Sequence, residues 1–243
     1  MEKYKYIGWV SCLLALAVGA ASAEETPWRL QQALNLPEWF QLSGSARVRY
    51  ESLDGQFRTA AEGSDQQLAF RTLLQASATF ENWGLVAELE DSRQELSDTG
   101  SSVKSSMVNT TELLQAYFQF KAEDFLLEGS DTEIRLGRQT MDAGSRRLTA
   151  RNRFRNTLNA FDGASLYWTT DTVDMQAFYL LPVVRRPSDS ASLLDNEHQM
   201  DRSYDDFQFW GLHSKWKNLF ESKTVFEAYV FVLDEADDGD LST

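Results

Sequence analysis

The chain has 243 residues, with 37 acidic and 23 basic side chains and a formal net charge of −14 at pH 7. This surplus of acid argues against a nucleic acid as partner, because nucleic-acid binding needs a basic surface. The single cysteine, Cys12, excludes a disulfide-stapled scaffold, and the length suits one domain.

The first 23 residues have the three parts of a signal peptide. Lys3 and Lys5 precede an apolar run at 7–18, and the small residues Ala21-Ser22-Ala23 follow as a cleavage site. We therefore expect residues 1–23 to be removed. Residues 24–38 are predicted to form a short periplasmic helix, which Pro37 ends.

From residue 39 onward the apolar pattern has a period of two, which is typical of β-strands. In the first segment one face carries Leu42, Gly44, Ala46, Val48 and Tyr50, and the other carries Ser43, Ser45, Arg47, Arg49 and Glu51. Eight further segments of this kind follow, up to about residue 233. Their connections alternate between long (53–66, 92–108, 140–158 and 182–206) and short (81–84, 169–172 and 217–222). Outer-membrane barrels have this asymmetry, with short periplasmic turns and long external loops.

Three tryptophans, Trp83, Trp168 and Trp216, lie beside short connections. We expect them at one level on the periplasmic rim, as an interfacial girdle. A soluble β-sandwich also has alternating strands, but it does not explain the signal peptide, the loop asymmetry and the girdle together. The prediction is an all-β fold over residues 39–243: an antiparallel transmembrane outer-membrane β-barrel. About nine strands, ending in what would be an external loop, are expected to be part of an incomplete barrel of about 16–18 strands.

A stretch rich in arginine interrupts the acidic chain. Arg146, Arg147, Arg151, Arg153 and Arg155 fall within ten residues, and no acid occurs between Asp142 and Asp162. Such a local reversal of charge indicates either a solvated basic loop or a site for a polyanion. Arginines also occupy the polar faces of the first two strands. A charge facing lipid costs about 2–4 kcal/mol, so these arginines are expected to face the lumen.

Four sequence blocks carry a family resemblance. LSGSARVRYE, RLGRQTMDAGSRRL, NAFDGASLYW and FWGL, between Leu42 and Leu233, resemble the bacterial alginate-export outer-membrane family. The resemblance implies a single-chain barrel that conducts the polyuronate alginate through a narrow channel lined with arginine and lysine. It also implies which arginines match lumen-facing positions: Arg49, Arg71, Arg135, Arg138, Arg147 and Arg155.

We take ten arginines as the candidate conducting set: Arg47, Arg49, Arg71, Arg135, Arg138, Arg146, Arg147, Arg151, Arg153 and Arg155. A guanidinium group stays charged and binds carboxylates bidentately. We expect the arginine loop to fold inward, with Arg71, Arg138, Arg147 and Arg155 at the narrowest point. The alternative is a structural role, in which Glu51, Glu88 and Glu90 on the same polar faces neutralise the arginines.

The predicted function is an outer-membrane channel for the export or diffusion of an acidic polysaccharide such as alginate, or of related anionic solutes. A surface-binding, adhesin-like barrel is the alternative from another class. An outer-membrane hydrolase ranks below both, because HExxH, GxSxG and P-loop patterns do not occur. We expect a non-enzymatic protein without cofactor or metal. Its expected partners are outer-membrane lipid and lipopolysaccharide, the polysaccharide and proteins of a periplasmic export route.

Overall fold

The computed structural model describes residues 30–53, 65–97, 103–144, 146, 149–151, 153–219 and 224–236. The chain divides into two units, Met1–Asn35 and Leu36–Thr243. The first unit has one described helix, α1 (Leu30–Ala33), which falls inside the helix predicted over 24–38. The predicted signal peptide lies outside the described residues, and the boundary at residue 39 stays a prediction.

The described residues of the second unit form ten strands and one short helix. The strands are β1 (Phe40–Leu53), β2 (Asp65–Phe80), β3 (Trp83–Glu95), β4 (Asn109–Glu123), β5 (Asp131–Gln139), β6 (Phe161–Thr169), β7 (Val173–Arg186), β8 (Gln199–Ser203), β9 (Phe207–Leu219) and β10 (Thr224–Glu235), with α2 (Ser190–Leu194) between β7 and β8. Neither helix in the described ranges is long and apolar enough to cross a membrane.

All strand pairs are antiparallel, and each long strand pairs with the next long strand along the chain. The order is β1-β2-β3-β4-β5-β6-β7-β9-β10, with β8 on the end of β7. The predicted all-β, antiparallel barrel class is therefore confirmed. The sheet is not closed: among the described residues, β1 and β10 each keep one edge without a strand partner.

The two faces of the sheet differ as the alternation predicts. In β1, the apolar Val48 and Tyr50 are exposed by 66% and 58%, whereas Arg47 and Arg49 between them are partly covered. In β3, Leu85 and Leu89 are exposed while Glu88 and Glu90 are buried. We call the polar, covered side the inner face and the exposed apolar side the outer face. This is the distribution of a strand that meets lipid outside and polar groups inside.

The three tryptophans lie at the end of the sheet that carries the short connections. Trp83 opens β3, Trp168 is the last residue but one of β6, and Trp216 pairs with Val173, the first residue of β7. The strand register therefore places all three at one end, as expected. Rings at this end pack together, for example Trp83 on Phe118 with centroids 4.9 Å apart.

β8 is an element that the sequence analysis did not predict, since it lies in the expected polar loop 182–206. It pairs with the last residues of β7. Asp201 in β8 accepts hydrogen bonds from the Arg186 backbone N–H and from Asn109 Nδ2, and its own N–H donates to Glu112 Oε2 at 3.0 Å. Long-range polar contacts, rather than an apolar alternation, hold this strand in place.

In β4 the sequence alternation with a period of two predicts Leu114 on the same face as Ala116 and Phe118, but Leu114 faces the opposite way. The pairing of β3 with β4 shifts register between Glu88 and Leu89, so that β4 has one extra residue there. A β-bulge of this kind reverses which face the following side chains occupy. Leu114 is consequently 2% exposed and lies in an inner apolar cluster with Leu158, Ala160, Leu73 and Val183.

Two glycines in the sequence blocks RLGRQ and FDGA are cross-strand partners. Gly137 in β5 pairs with Gly163 in β6, and both have positive φ, 125° and 148°. A Cβ on Gly137 would collide with the Ala116 carbonyl, and one on Gly163 would collide with the Tyr179 carbonyl. These positions require glycine because neighbouring backbone approaches too closely for a side chain.

Candidate functional site

The described residues of the connection from β5 to β6, which are 140–144, 146, 149–151 and 153–160, lie against the inner face, and we call them the inner segment. Met141 and Ala143 at its start pack with Phe178 and Leu180. At its other end, Leu158 and Ala160 belong to the apolar cluster around Leu114. Both ends of the inner segment are thus held by buried apolar contacts.

Arginines of β1 and β2 bind the backbone of the inner segment. Arg47 and Arg71 lie directly opposite each other in the sheet. Arg47 donates to the carbonyl oxygens of Arg153 and Arg155, both at 2.7 Å, and Arg71 donates to that of Arg155 at 3.2 Å. Like charges in directly opposite positions destabilise a sheet. The carbonyls stabilise the two guanidinium groups without cancelling their charge.

Arg49 lies next to this pair on β1 and has a mixed environment. Its Nε is 2.7 Å from Glu51 Oε1, Nη1 donates to the Phe154 carbonyl, and the guanidinium lies 5.0 Å from the centroid of the Phe154 ring. Phe154 is 77% exposed, and Arg153 and Arg155 on either side of it are also exposed. One exposed stretch of the inner segment therefore has the sequence Arg-Phe-Arg.

Arg151 has the structural role that the alternative interpretation described. Its Nη1 and Nη2 bind the two carboxylate oxygens of the buried Glu88 at 2.8 and 2.6 Å. Gln115 Nε2 also donates to Glu88, and Thr140 Oγ1 accepts from Arg151 at 3.1 Å. Glu90 differs from Glu88, because its oxygens accept from Ser92 Oγ at 2.9 Å and from the Leu158 N–H at 3.1 Å.

Two further arginines on the inner side are also paired with acids. Arg146 forms an exposed ion pair with Asp142 at 3.3 Å. Arg135, nearer the short-connection end, binds Glu133 at 2.5 Å, and its guanidinium lies 4.7 Å from the Tyr167 ring centroid. Arg135 thus faces the inner side, as the resemblance implied.

Arg138 was expected to face the lumen, and this prediction is wrong. Arg135 and Arg138 are three residues apart on one strand, so they point to opposite faces, and Arg138 shares the outer face with Leu136. It binds Asp162 bidentately at 2.8 and 3.0 Å and Glu112 at 3.2 Å. Ser203 of β8 also donates to Asp162 at 2.7 Å. This network links β4, β5, β6 and β8 and has a structural role.

Of the four arginines expected to converge, the structure brings two together. Arg71 donates to the backbone of Arg155, Arg138 lies on the outer face, and Arg147 falls outside the described residues. We call the strands behind the inner segment the wall. A recess of about 490 Å³ adjoins the contact between the wall and the inner segment. It is lined by Ser43, Gly44, Ser45, Arg71, Leu73, Gln75, Glu88, Arg151, Arg153 and Leu158.

Sequence reasoning missed one residue of the site, Asn156. It follows the Arg-Phe-Arg stretch and is 1% exposed, with its side-chain amide bonded to four groups on other elements. An asparagine between an arginine and a threonine is typical of any polar loop, so no pattern in the sequence distinguishes it. In the described ranges, no group of three or more His, Cys, Asp or Glu side chains is placed to hold a metal ion.

The comparisons with known proteins agree with this architecture at the level of the family. Neither the curated proteins nor the solved structures gave a match. The model of the family described as "Alginate export" matches residues 38–243, a range that includes the ten strands of the described residues. The chain therefore belongs to the alginate export family, a family of outer-membrane transport proteins.

Proposed function

We propose that the protein is an outer-membrane channel for an acidic polysaccharide, such as alginate, or for related anionic solutes. The inner face would form part of the channel wall, and the inner segment would narrow the path. The cations that attract the solute would be Arg47, Arg71, Arg153 and Arg155. The other described candidates are paired with carboxylates and act mainly as structural anchors.

One observation carries this proposal: Arg47 and Arg71 are cross-strand neighbours, and both donate hydrogen bonds to backbone carbonyl oxygens of the inner segment. A carboxylate partner would cancel the charge, whereas a carbonyl oxygen leaves it in place. Two opposed guanidinium groups and the exposed Arg153 therefore concentrate positive charge in a protein of net charge −14. Such a field attracts anions and repels cations.

The exposure of these groups suits transport rather than tight binding. An ion pair in a wet site contributes about 0–1 kcal/mol. A chain of uronate units would meet several weak contacts in turn and leave each of them easily. A bidentate site such as Glu88–Arg151, by contrast, holds its partner in one place.

The proposed location sets how the protein must be tested. An outer membrane does not tolerate open strand edges, so β1 and β10 must find partners there. Outer-membrane lipid and lipopolysaccharide would surround the outer face, and periplasmic export proteins would meet the short-connection end. The protein should therefore be measured as extracted from the outer membrane, where the edges of β1 and β10 have found their partners.

The test is the reversal potential in a planar bilayer under a KCl gradient. We expect the wild type to prefer anions, and the double variant R47Q/R71Q to lose much of this preference. Arg93→Gln is the matched control, because Arg93 lies on the outer face and pairs with the exposed Asp91. Salt near 1 M should reduce the wild-type preference, since the Debye length falls to about 3 Å. Equal selectivity in all three proteins would reject the proposal and leave the adhesin-like alternative.

A further inference from the structure

We infer that Asn156 is a positioning residue that fixes the inner segment to the wall and thereby sets where the exposed arginines lie. This inference rests on the proposed function for its consequence, but the attachment itself can be measured separately. Asn156 directly follows Arg153, Phe154 and Arg155 in the chain, so any movement of its backbone moves them.

The side chain of Asn156 joins three elements of the wall. Nδ2 donates to the carbonyl oxygens of Phe70 in β2, Arg93 in β3 and Met107 in the connection before β4, at 3.0, 3.2 and 2.8 Å. Oδ1 accepts from Arg47 Nη2 of β1 at 3.2 Å. One side chain thus contacts backbone from β2 to β4 and a side chain of β1.

Neighbouring backbone groups support the same attachment. Ser92 Oγ lies 2.8 Å from the Asn156 carbonyl oxygen and 2.9 Å from Glu90 Oε1, and these two acceptors share its single hydrogen. Thr157 donates through its N–H to the Ser106 carbonyl at 3.2 Å and through Oγ1 to the Ser105 carbonyl at 3.0 Å. The inner segment is consequently fixed at residues 156–157, and the exposed Arg-Phe-Arg stretch projects from this fixed point.

The chemistry of the site favours an amide. The wall presents several carbonyl oxygens and one guanidinium, so the side chain must both donate and accept. Asparagine does both, whereas aspartate lacks the donors and leucine, of similar shape, lacks donor and acceptor. Each buried hydrogen bond shifts the ratio of attached to detached segment by about fivefold. The amide has two hydrogens, one of them shared between two of the three carbonyl oxygens, so loss of both donors should raise the detached fraction by about 25-fold.

The experiment uses a spin label on Phe154→Cys, in protein extracted from the outer membrane. Phe154 is exposed, and the wall contact nearest to it is made by its backbone carbonyl, which the substitution keeps. We expect a restricted label in the otherwise wild-type protein and a mobile label when Asn156→Leu is added. Leucine keeps the approximate volume, so a residue that acts only by packing would leave the label restricted.

Asn159→Leu is the matched control, because Asn159 lies three residues along the same segment and accepts one bond, from Arg185 at 2.7 Å. Its label should stay restricted. Equal mobility in the Asn156 and Asn159 variants would overturn the inference. If Asn156→Leu is not recovered from the membrane, Ser92→Ala decides. It removes one bond to Asn156 and should increase mobility by a smaller amount, and no change would reject the inference.

Channel recordings then separate this inference from the proposed function. If the label is released in Asn156→Leu and anion selectivity falls, both stand. If the label is released while the wild type has no anion preference, Asn156 holds the segment but the segment does not select anions. The inference stands in that case, and the proposed function fails.

Discussion

The ion pair between Glu88 and Arg151 provides a sharp energetic test of how the inner segment is held. Glu88 is buried on β3, and Arg151 binds both of its oxygens from the inner segment. Replacing either partner alone leaves an uncompensated charge in a covered place. For a buried pair this costs about 3–5 kcal/mol.

The size of the effect follows from the surroundings of the pair. The Glu88 side chain is 6% exposed and that of Arg151 is 21% exposed, so water replaces the lost partner poorly. The Asp91–Arg93 pair on the outer face has side chains 37% and 46% exposed and serves as the control. Exposed pairs contribute about 0–1 kcal/mol.

The assay is a double-mutant cycle on the free energy of unfolding in lipid vesicles, with E88Q, R151Q and E88Q/R151Q. We expect each single variant to lose several kcal/mol and the double variant to recover much of the loss. The same cycle on D91N and R93Q should give a coupling energy below about 1 kcal/mol. A Glu88–Arg151 coupling as small as that of the control would refute the assignment of Arg151 as an anchor.

Two further predictions concern the backbone and pH. Gly137→Ala should lower the free energy of unfolding by several kcal/mol in an unfolding titration, because the new Cβ collides with the Ala116 carbonyl. Gly129→Ala is the control: Gly129 also has a positive φ, but a Cβ there meets open space, so the loss should be about 1 kcal/mol. Burial raises the pKa of the Asp201 carboxyl to about 6, and the nearby Glu112 carboxylate adds to the rise. Asp201 lies in β8, which is not one of the nine long strands. The stability that this raised pKa contributes is present below about pH 4 and lost as pH rises through about 6. The protection factors of the β8 amides, which correct for the intrinsic pH dependence of exchange, should therefore fall over that range, and Asp201→Asn should abolish the fall.

Much of the fold was predictable because lipid and interior impose opposite demands on alternate residues. The period of two in β1 and β3 identified which side chains face outward, and the lengths of the connections placed Trp83, Trp168 and Trp216 at one end. These signals are local in the sequence. Tertiary contacts preserve the alternation, since the side chains of a long strand face either lipid on the outer face or polar groups on the inner face.

Two of the errors have physical causes outside the local pattern, and the third, Arg138, does not. The bulge that turns Leu114 inward is a property of the pairing between β3 and β4. β8 depends on bonds from Asp201 to residues far along the chain. Arg138 was assigned from the family resemblance, although its distance of three residues from Arg135 already indicates the opposite face.

The sequence identified the arginines of the candidate site, but it did not show which of them bind carboxylates and which bind backbone carbonyls. The absence of acids between Asp142 and Asp162 identified a basic loop, either solvated or a site for a polyanion. The partners that anchor Arg151 come from Glu88 on a distant strand, and Arg47 and Arg71 bind carbonyls of the loop itself. Neither kind of partner is visible from sequence spacing, and nor is the attachment through Asn156.

The most direct test of the central claim is block of the channel current by a soluble oligouronate, compared with a neutral oligosaccharide of the same length. The account predicts that the oligouronate blocks the wild type at concentrations where the neutral sugar does not. It also predicts that R47Q/R71Q loses this block while Arg93→Gln keeps it. Equal block by charged and neutral sugars, or full block in R47Q/R71Q, would contradict the claim that these inner arginines select an acidic polysaccharide.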